Sequence, residues 1–130
     1  MTMNGGSPRA RSVIVVDDMT EIRGMVRAVL HRPPHMVVVG EAHDGLSGIR
    51  LTEQTHPDVI ILDRLMDPMS GDEALPKMRE VAPESLIVIY SSFARPDEVT
   101  ELLRLGADAV VDKVDGVGAL EAALMAAPLN

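Results

Sequence analysis

The stretch Ser12-Val-Ile-Val-Val-Asp17-Asp18 is a run of aliphatic side chains that ends abruptly in two carboxylates. The pattern returns along the chain, where Asp58-Val-Ile-Ile-Leu leads into Asp63, Leu86-Ile-Val-Ile-Tyr into Ser91-Ser92, and Ala109-Val-Val-Asp into Lys113. Runs without polar alternation are typical of central parallel strands, which are buried on both faces. If the four runs lie parallel in one sheet, their polar ends gather along one edge, where open α/β sheets bind ligands.

Amphipathic stretches separate the apolar runs, and this alternation predicts five βα units around a mainly parallel sheet. Ser70 is predicted to cap the third helix and Gly106 to end the fourth. Residues 1–11 carry Gly-Gly-Ser-Pro without the apolar segment of a signal peptide, so we expect a flexible lead-in followed by one domain over residues 12–127. The predicted strands cover about residues 12–17, 36–40, 59–62, 86–90 and 109–112, and the predicted helices about residues 20–30, 44–54, 71 onward, 96–105 and 117–126.

The composition fits one domain of ordinary size. A chain of 130 residues with 46% hydrophobic side chains can build a proper core. The formal net charge of −8 argues against direct nucleic-acid binding by this domain, because such binding depends on clustered Lys and Arg. There is no Cys for a disulfide or a thiolate metal site, and no apolar run approaches the length of a membrane span. We therefore expect a cytoplasmic protein without membrane contact.

Three carboxylates, those of Asp17, Asp18 and Asp63, follow two runs that are predicted to be neighbouring strands. Like charges are costly to pack together unless a positive charge lies among them. Oxygen ligands without His or Cys favour a hard divalent cation, and a site with few protein ligands suits Mg²⁺, which keeps several waters. Two plainer interpretations stay open: Asp18 and Glu21 have the spacing of a helix capping box, and Asp63 could bond loop amides.

With these motifs the chain resembles the receiver domains of two-component response regulators, over about residues 13–126. It is similar to the NarL type in Val39-Gly-Glu-Ala-His-Asp-Gly45, in Pro57-Asp-Val-Ile-Ile-Leu-Asp63, and in a Lys113 that no proline follows. The resemblance implies a flavodoxin-like (βα)5 fold, a doubly wound parallel sheet of five strands in the order 2-1-3-4-5.

The resemblance also implies a role for each acid. Asp63 would accept a phosphoryl group from a sensor histidine kinase or a phosphotransfer protein. Asp18 would bind Mg²⁺ directly, Asp17 would act through water, and the main-chain carbonyl of Leu65 would complete the protein ligands. No enzymatic activity is implied beyond the chain's own phosphorylation and a slow dephosphorylation.

Ser91 and Lys113 take their roles from the same resemblance, as the switch hydroxyl and as the cation beside the acceptor. Alone, they would be interpreted as a loop cap and a solvated lysine. Three residues before the lysine, where the family commonly has Tyr or Phe, this chain has Val110. The usual coupling between the hydroxyl and an aromatic rotamer is therefore not expected. Tyr90 is expected to pack on the face of its strand opposite Ser91.

Three loop positions are predicted to tune the site. The family usually has Met-Pro three and four residues after the acceptor, whereas Met66 is followed here by Asp67. Asp67 could attract a cation or repel a phosphoryl group, although an exposed turn residue is the plainer interpretation. Leu65 and Phe93 stand two residues past the acceptor and the switch hydroxyl, and neither side chain can accept a hydrogen bond from water. We therefore predict slow self-dephosphorylation; alternatively, Phe93 contacts a partner.

The leading hypothesis is a phosphorylatable receiver that switches a partner, a homodimer or an output domain, with transcription regulation as the expected output. The chain would be a stand-alone receiver or part of a longer regulator. The alternative is a degenerate receiver, an interaction module that works without phosphorylation, which Asp67 and Val110 favour. A phosphohydrolase is a weaker third hypothesis, because Leu65 stands where such enzymes usually have a second acid. Arg23 and Arg27 could face a kinase, but a solvated helix face is the plainer interpretation.

Overall fold

The structure, a computed structural model, describes residues 10–31, 36–92 and 94–126. Five parallel strands form one sheet in the order β2-β1-β3-β4-β5, and a helix follows each strand. The predicted (βα)5 architecture and strand order are therefore confirmed. The strands are β1 (Arg11–Val16), β2 (Met36–Ala42), β3 (Val59–Leu62), β4 (Leu86–Ser91) and β5 (Ala109–Asp112). The helices are α1 (Thr20–Leu30), α2 (Gly45–Thr55), α3 (Gly71–Val81), α4 (Pro96–Leu105) and α5 (Gly116–Ala126), with a 3₁₀ turn at Lys113–Asp115.

The sheet separates two apolar cores, because successive side chains of a strand point to opposite faces. In β3, Ile60 and Leu62 pack with residues of α2, α3 and α4. Val59 and Ile61 pack on the other face with residues of α1 and α5. Both faces of the strand are covered, which is why its sequence shows no polar alternation. Tyr90 lies in the second core and is 2% exposed, as strand alternation predicted.

The helix ends follow the predicted capping residues with one exception. Ser70 caps α3 in a capping box with Glu73, and Gly106 ends α4 at a φ of 124°. The proposed capping box of Asp18 and Glu21 is wrong, because α1 has Met19 as its N-cap residue and no side-chain cap hydrogen bond. No helix in the part of the chain that the structure describes is long and apolar enough to cross a bilayer.

Candidate functional site

The register of the central strands brings Asp17 and Asp63 together. Val16 pairs with Leu62 in the parallel ladder of β1 and β3, so the two acids that follow leave the sheet side by side. The Asp63 N–H donates to the Val16 carbonyl at 2.9 Å, which continues the ladder by one bond beyond the strands. Both acids are buried, at 2% exposure for Asp17 and 6% for Asp63. Two adjacent buried carboxylates are costly unless nearby groups compensate their charge.

The third acid, Asp18, completes a group that can hold a metal ion. Carboxylate oxygens of Asp17, Asp18 and Asp63 all lie within 4.8 Å of one another, and Asp18 is exposed where the other two are buried. This donor set contains only oxygen atoms and opens to solvent on one side. A small hard cation that keeps several of its waters prefers such a site, so the residues present fit Mg²⁺.

Main-chain donors hold one oxygen of each buried acid. The Met19 N–H donates to Asp17 Oδ1 at 2.9 Å, and the Arg64 N–H donates to Asp63 Oδ1 at 2.8 Å. These bonds fix both carboxylates to the loops that follow their strands. The orientation of the pair is therefore set by backbone geometry.

Lys113 supplies positive charge from the other side of the pocket. It follows β5, and its Nζ lies 2.8 Å from Asp17 Oδ2 and 3.4 Å from Asp63 Oδ1. Its side chain is 14% exposed, so the interpretation as a solvated surface lysine is wrong. The Nζ also lies 5.9 Å from the centre of the Tyr90 ring, which is within the range of a cation–π contact. One ammonium therefore faces three carboxylates.

These surroundings shift the pKa values of Asp63 and Lys113. Burial, followed by the charge of Asp17, raises the pKa of Asp63 above its usual range, although Lys113 and a hydrogen bond from the Ser91 side chain oppose the shift. Burial alone lowers the pKa of Lys113, but hydrogen bonds and charges of Asp17 and Asp63 outweigh it and raise the pKa. The two carboxylates thus favour the charged form of the lysine.

A model of the response regulator receiver domain family matches residues 13–125. The chain belongs to the response regulator receiver domain family. This receiver is 37% identical to the nitrate/nitrite response regulator protein NarL of Escherichia coli strain K12 over 97 residues, which are 75% of this chain and 45% of NarL. It is 32% identical to the transcriptional regulatory protein LiaR of Bacillus subtilis strain 168 over 115 residues, 88% of this chain and 54% of LiaR. The receiver thus spans about half the length of these curated relatives.

A solved structure agrees with the family assignment. The response regulator domain of Thermotoga maritima CheB superposes with a TM-score of 0.81 at 31% identity, covering 90% of this chain and 93% of that domain. With the match to NarL, this confirms the resemblance that the motifs around Glu41 and Asp63 predicted.

The other residues that were predicted to act in the receiver differ in how deeply they are buried. Ser91 is buried at 3% exposure, and its hydroxyl acts to lower the pKa of Asp63. Leu65 is 76% exposed and Asp67 is exposed in the loop after β3, where the Asp67–Pro68 peptide bond is cis. Val110 packs against the first core. Phe93 lies outside the described residues.

Three residues of this receiver were not predicted to act at the site. Gly71 lies against the main chain of Asp63, Arg64 joins the loop after Asp63 to Asp72 of α3, and Arg23, expected on a solvated helix face, has a side chain only 17% exposed. The Arg23 Nη1 donates to the main-chain oxygen of Asp17 at 2.7 Å. Glycine and arginine are common in loops and on helix surfaces, so their presence in the sequence does not indicate which atoms they contact in the fold.

Proposed function

We propose that this receiver accepts a phosphoryl group on Asp63 and that the modified domain switches a partner. The observation that carries the proposal is the position of Asp63 between two other carboxylates and the ammonium of Lys113. A carboxylate with an adjacent cation and a candidate metal site has the groups that phosphoryl transfer requires.

The proposed reaction moves a phosphoryl group from nitrogen to oxygen. An oxygen of the Asp63 carboxylate attacks the phosphorus of a phosphohistidine on a sensor histidine kinase or a phosphotransfer protein. The P–O bond forms, the P–N bond breaks, and the imidazole nitrogen leaves with the electron pair. Lys113 Nζ, 3.4 Å from Asp63 Oδ1, can offset charge on the phosphoryl oxygens.

The proposed metal ligands follow from which oxygens are engaged. Asp17 already accepts hydrogen bonds from the Met19 N–H and from Lys113, one at each carboxylate oxygen, which suits a ligand that acts through water. Exposed Asp18 would bind Mg²⁺ directly, with Asp63 and the main-chain carbonyl of Leu65. A bound Mg²⁺ would supply positive charge for the transferring group.

The proposed switch uses Ser91. Its side chain is buried at the end of β4, the strand next to the one that Asp63 follows, so after transfer the hydroxyl could donate to a phosphoryl oxygen and draw the loop after β4 inward. Because position 110 holds a valine, which packs against the first core, this movement would proceed without a coupled aromatic rotamer.

The proposed output is a change of surface that a partner, a second copy or an output domain reads. Transcription regulation is supported by the likeness to LiaR, and any DNA contact would belong to another domain. The cytoplasmic location and the domain bounds at residues 12–127 stay predictions.

Intact mass after incubation with a small phosphodonor, with and without Mg²⁺, tests the proposal. We expect a metal-dependent gain of one phosphoryl mass that is lost in Asp63→Asn. Glu53→Gln is the control, because it removes an exposed acid of α2 that has no predicted role at the site and should keep the gain. No gain with the small donor or with a panel of kinases would favour the second candidate, a phosphorylation-independent interaction module, which the valine at position 110 in place of an aromatic residue supports.

A further inference from the structure

We propose that Arg23 is a positioning residue for the acidic pocket, which holds the peptide between Asp17 and Asp18 and thereby sets the affinity for a divalent cation. The inference rests on the metal site of the proposed function. Arg23 Nη1 donates to the Asp17 main-chain oxygen at 2.7 Å. That carbonyl belongs to the peptide bond that links the two acids, so the guanidinium acts on the backbone of the site and not on its carboxylates.

Two other hydrogen bonds of the segment between β1 and α1 leave the Asp17 carbonyl to Arg23. The Asp17 N–H donates to the Ala42 carbonyl at 3.0 Å, and the Met19 N–H donates to Asp17 Oδ1 at 2.9 Å. Asp18 lies between Asp17 and Met19 and is exposed. A donor that reaches back from the helix to the Asp17 carbonyl therefore restricts the rotation of the peptide that carries Asp18.

Arg23 is itself fixed, which makes it suitable as an anchor. Its Nε donates to Glu41 Oε1 at 2.9 Å and its Nη2 to Thr20 Oγ1 at 3.3 Å, so all three guanidinium nitrogens have acceptors. Glu41 lies in β2, opposite Val15 of β1 in the ladder. With Nε and Nη2 held in this way, the planar guanidinium directs Nη1 at the Asp17 carbonyl. A lysine ammonium cannot reproduce this geometry.

The charge of Arg23 and its positioning role predict opposite effects on metal binding. A cation near three carboxylates repels a divalent ion, so charge alone predicts tighter binding when the arginine is removed. Loss of the hydrogen bond frees the peptide before Asp18 and predicts weaker binding. The sign of the change in Kd therefore distinguishes the two effects.

Calorimetric titration with Mg²⁺ alone tests the inference on the full chain. We expect Arg23→Met to raise the Kd about tenfold, the lower range for residues that orient metal ligands, and Arg23→Lys to give an intermediate value. Arg27→Met is the matched control. Arg27 lies on the same helix and donates to Glu41 Oε2 at 3.0 and 2.6 Å, and neither bond involves Asp17. Its removal deletes the same charge and should change the Kd less than about twofold.

A Kd for Arg23→Met equal to or below that of the wild type overturns the inference, as does equal weakening in Arg27→Met. The metal-free protein gives a second readout, the amide ¹⁵N resonance of Asp18, which should shift in Arg23→Met and stay in place in Arg27→Met. A wild type that binds no Mg²⁺ overturns the metal site and the metal role of Arg23 together. Binding by the wild type with unchanged Arg23→Met overturns the inference alone.

Discussion

Gly71 lies directly against the main chain of Asp63, and no side chain fits between them. A Cβ on Gly71 would come within 1.8 Å of the Asp63 carbonyl oxygen and 3.1 Å of the Arg64 Cα. The Gly71 N–H donates to the Arg64 carbonyl at 2.8 Å. The first residue of α3 therefore supports the backbone of the proposed acceptor, and only glycine allows this approach.

Gly71→Ala is expected to destabilise the domain by about 3 kcal/mol, because either the helix or the strand end must move to remove the clash. Chemical denaturation measures the loss. Gly24→Ala is the control, since Gly24 also lies in a helix but has nothing within 4 Å of an added Cβ. That change should leave stability unchanged or raise it by roughly 0.5–1 kcal/mol. Equal stability of Gly71→Ala and wild type would contradict the close approach.

Asp18→Asn is expected to stabilise the metal-free domain, because it removes one of three clustered like charges. A gain of about 1 kcal/mol, or roughly 4 °C in Tm, is the expected size. The same variant should lose the stabilisation that Mg²⁺ gives to the wild type. Glu53→Gln removes an exposed acid from α2 and serves as control for net charge. A lower Tm for Asp18→Asn without metal would show that the carboxylate stabilises the empty pocket.

Arg64→Met is expected to cost about 1.5 kcal/mol and to speed amide exchange in the first turn of α4. The guanidinium binds both oxygens of Asp72 at 3.0 Å and Glu98 Oε2 at 3.1 Å, so it ties the acceptor loop to two helices. Arg104→Met removes an exposed pair with Glu101 and should leave stability close to that of the wild type, because solvent screens exposed ion pairs. Equally fast amide exchange in the first turn of α4 in both variants would show that the contact between Arg64 and Glu98 does not stabilise this helix.

Asp44 makes a pH-dependent contribution to stability. It caps α2, and the hydrogen bond from the Ser47 N–H is the largest of the interactions that lower the pKa of Asp44. A lowered pKa stabilises the fold above the usual carboxyl range, and the contribution is lost as the pH falls through the lowered pKa. Asp44→Ala should cost about 1 kcal/mol at neutral pH, with a smaller difference from wild type in acid.

Urea unfolding at several pH values measures this difference. Asp44→Asn is the control, because asparagine keeps the capping acceptor without a titrating group. A gap between wild type and Asp44→Ala that stays constant from neutral pH to about pH 3 would rule out the proposed titration.

Leu65→Asn is expected to shorten the lifetime of the phosphorylated state at least about tenfold, because an amide can orient the attacking water and leucine cannot. Leu65 is 76% exposed, so the substitution should not disturb the core. Loss of the phosphoryl mass with time gives the rate. Leu103→Asn, an exposed leucine of α4, is the control and should keep the wild-type rate. A rate that is unchanged or slower in Leu65→Asn would remove Leu65 from the proposed tuning positions.

The strand order and the gathering of acids could be predicted because they depend on patterns along the chain. Asp17 and Asp63 each follow a run that is buried on both faces, and parallel strands end at one edge. Ser70 was identifiable as a cap because its spacing to Glu73 has a local signature. Asp18 and Glu21 share an acid-x-x-Glu spacing, yet the helix begins after Met19, so the same pattern failed there.

The supporting contacts could not be predicted, because they join a side chain to a backbone atom or join residues that are far apart in the sequence. Arg23 reaches the carbonyl of Asp17 only because β1 and α1 meet at that angle, and Arg64 reaches Glu98 across 34 residues of sequence. Neither partner is implied by periodicity or by composition. The lysine was assigned by resemblance, but its closer contact, with Asp17 rather than with the acceptor, required coordinates.

The single ammonium of Lys113 among three carboxylates leaves two negative charges in the pocket without a countercharge. A divalent ion cancels that excess, whereas a monovalent ion leaves half of it. An arriving phosphoryl group adds negative charge again, so the proposed transfer would meet a pocket without excess negative charge only when a divalent ion is bound. Under the proposed function, phosphorylation of this domain would therefore depend on the free concentration of divalent metal in its surroundings as well as on the phosphodonor.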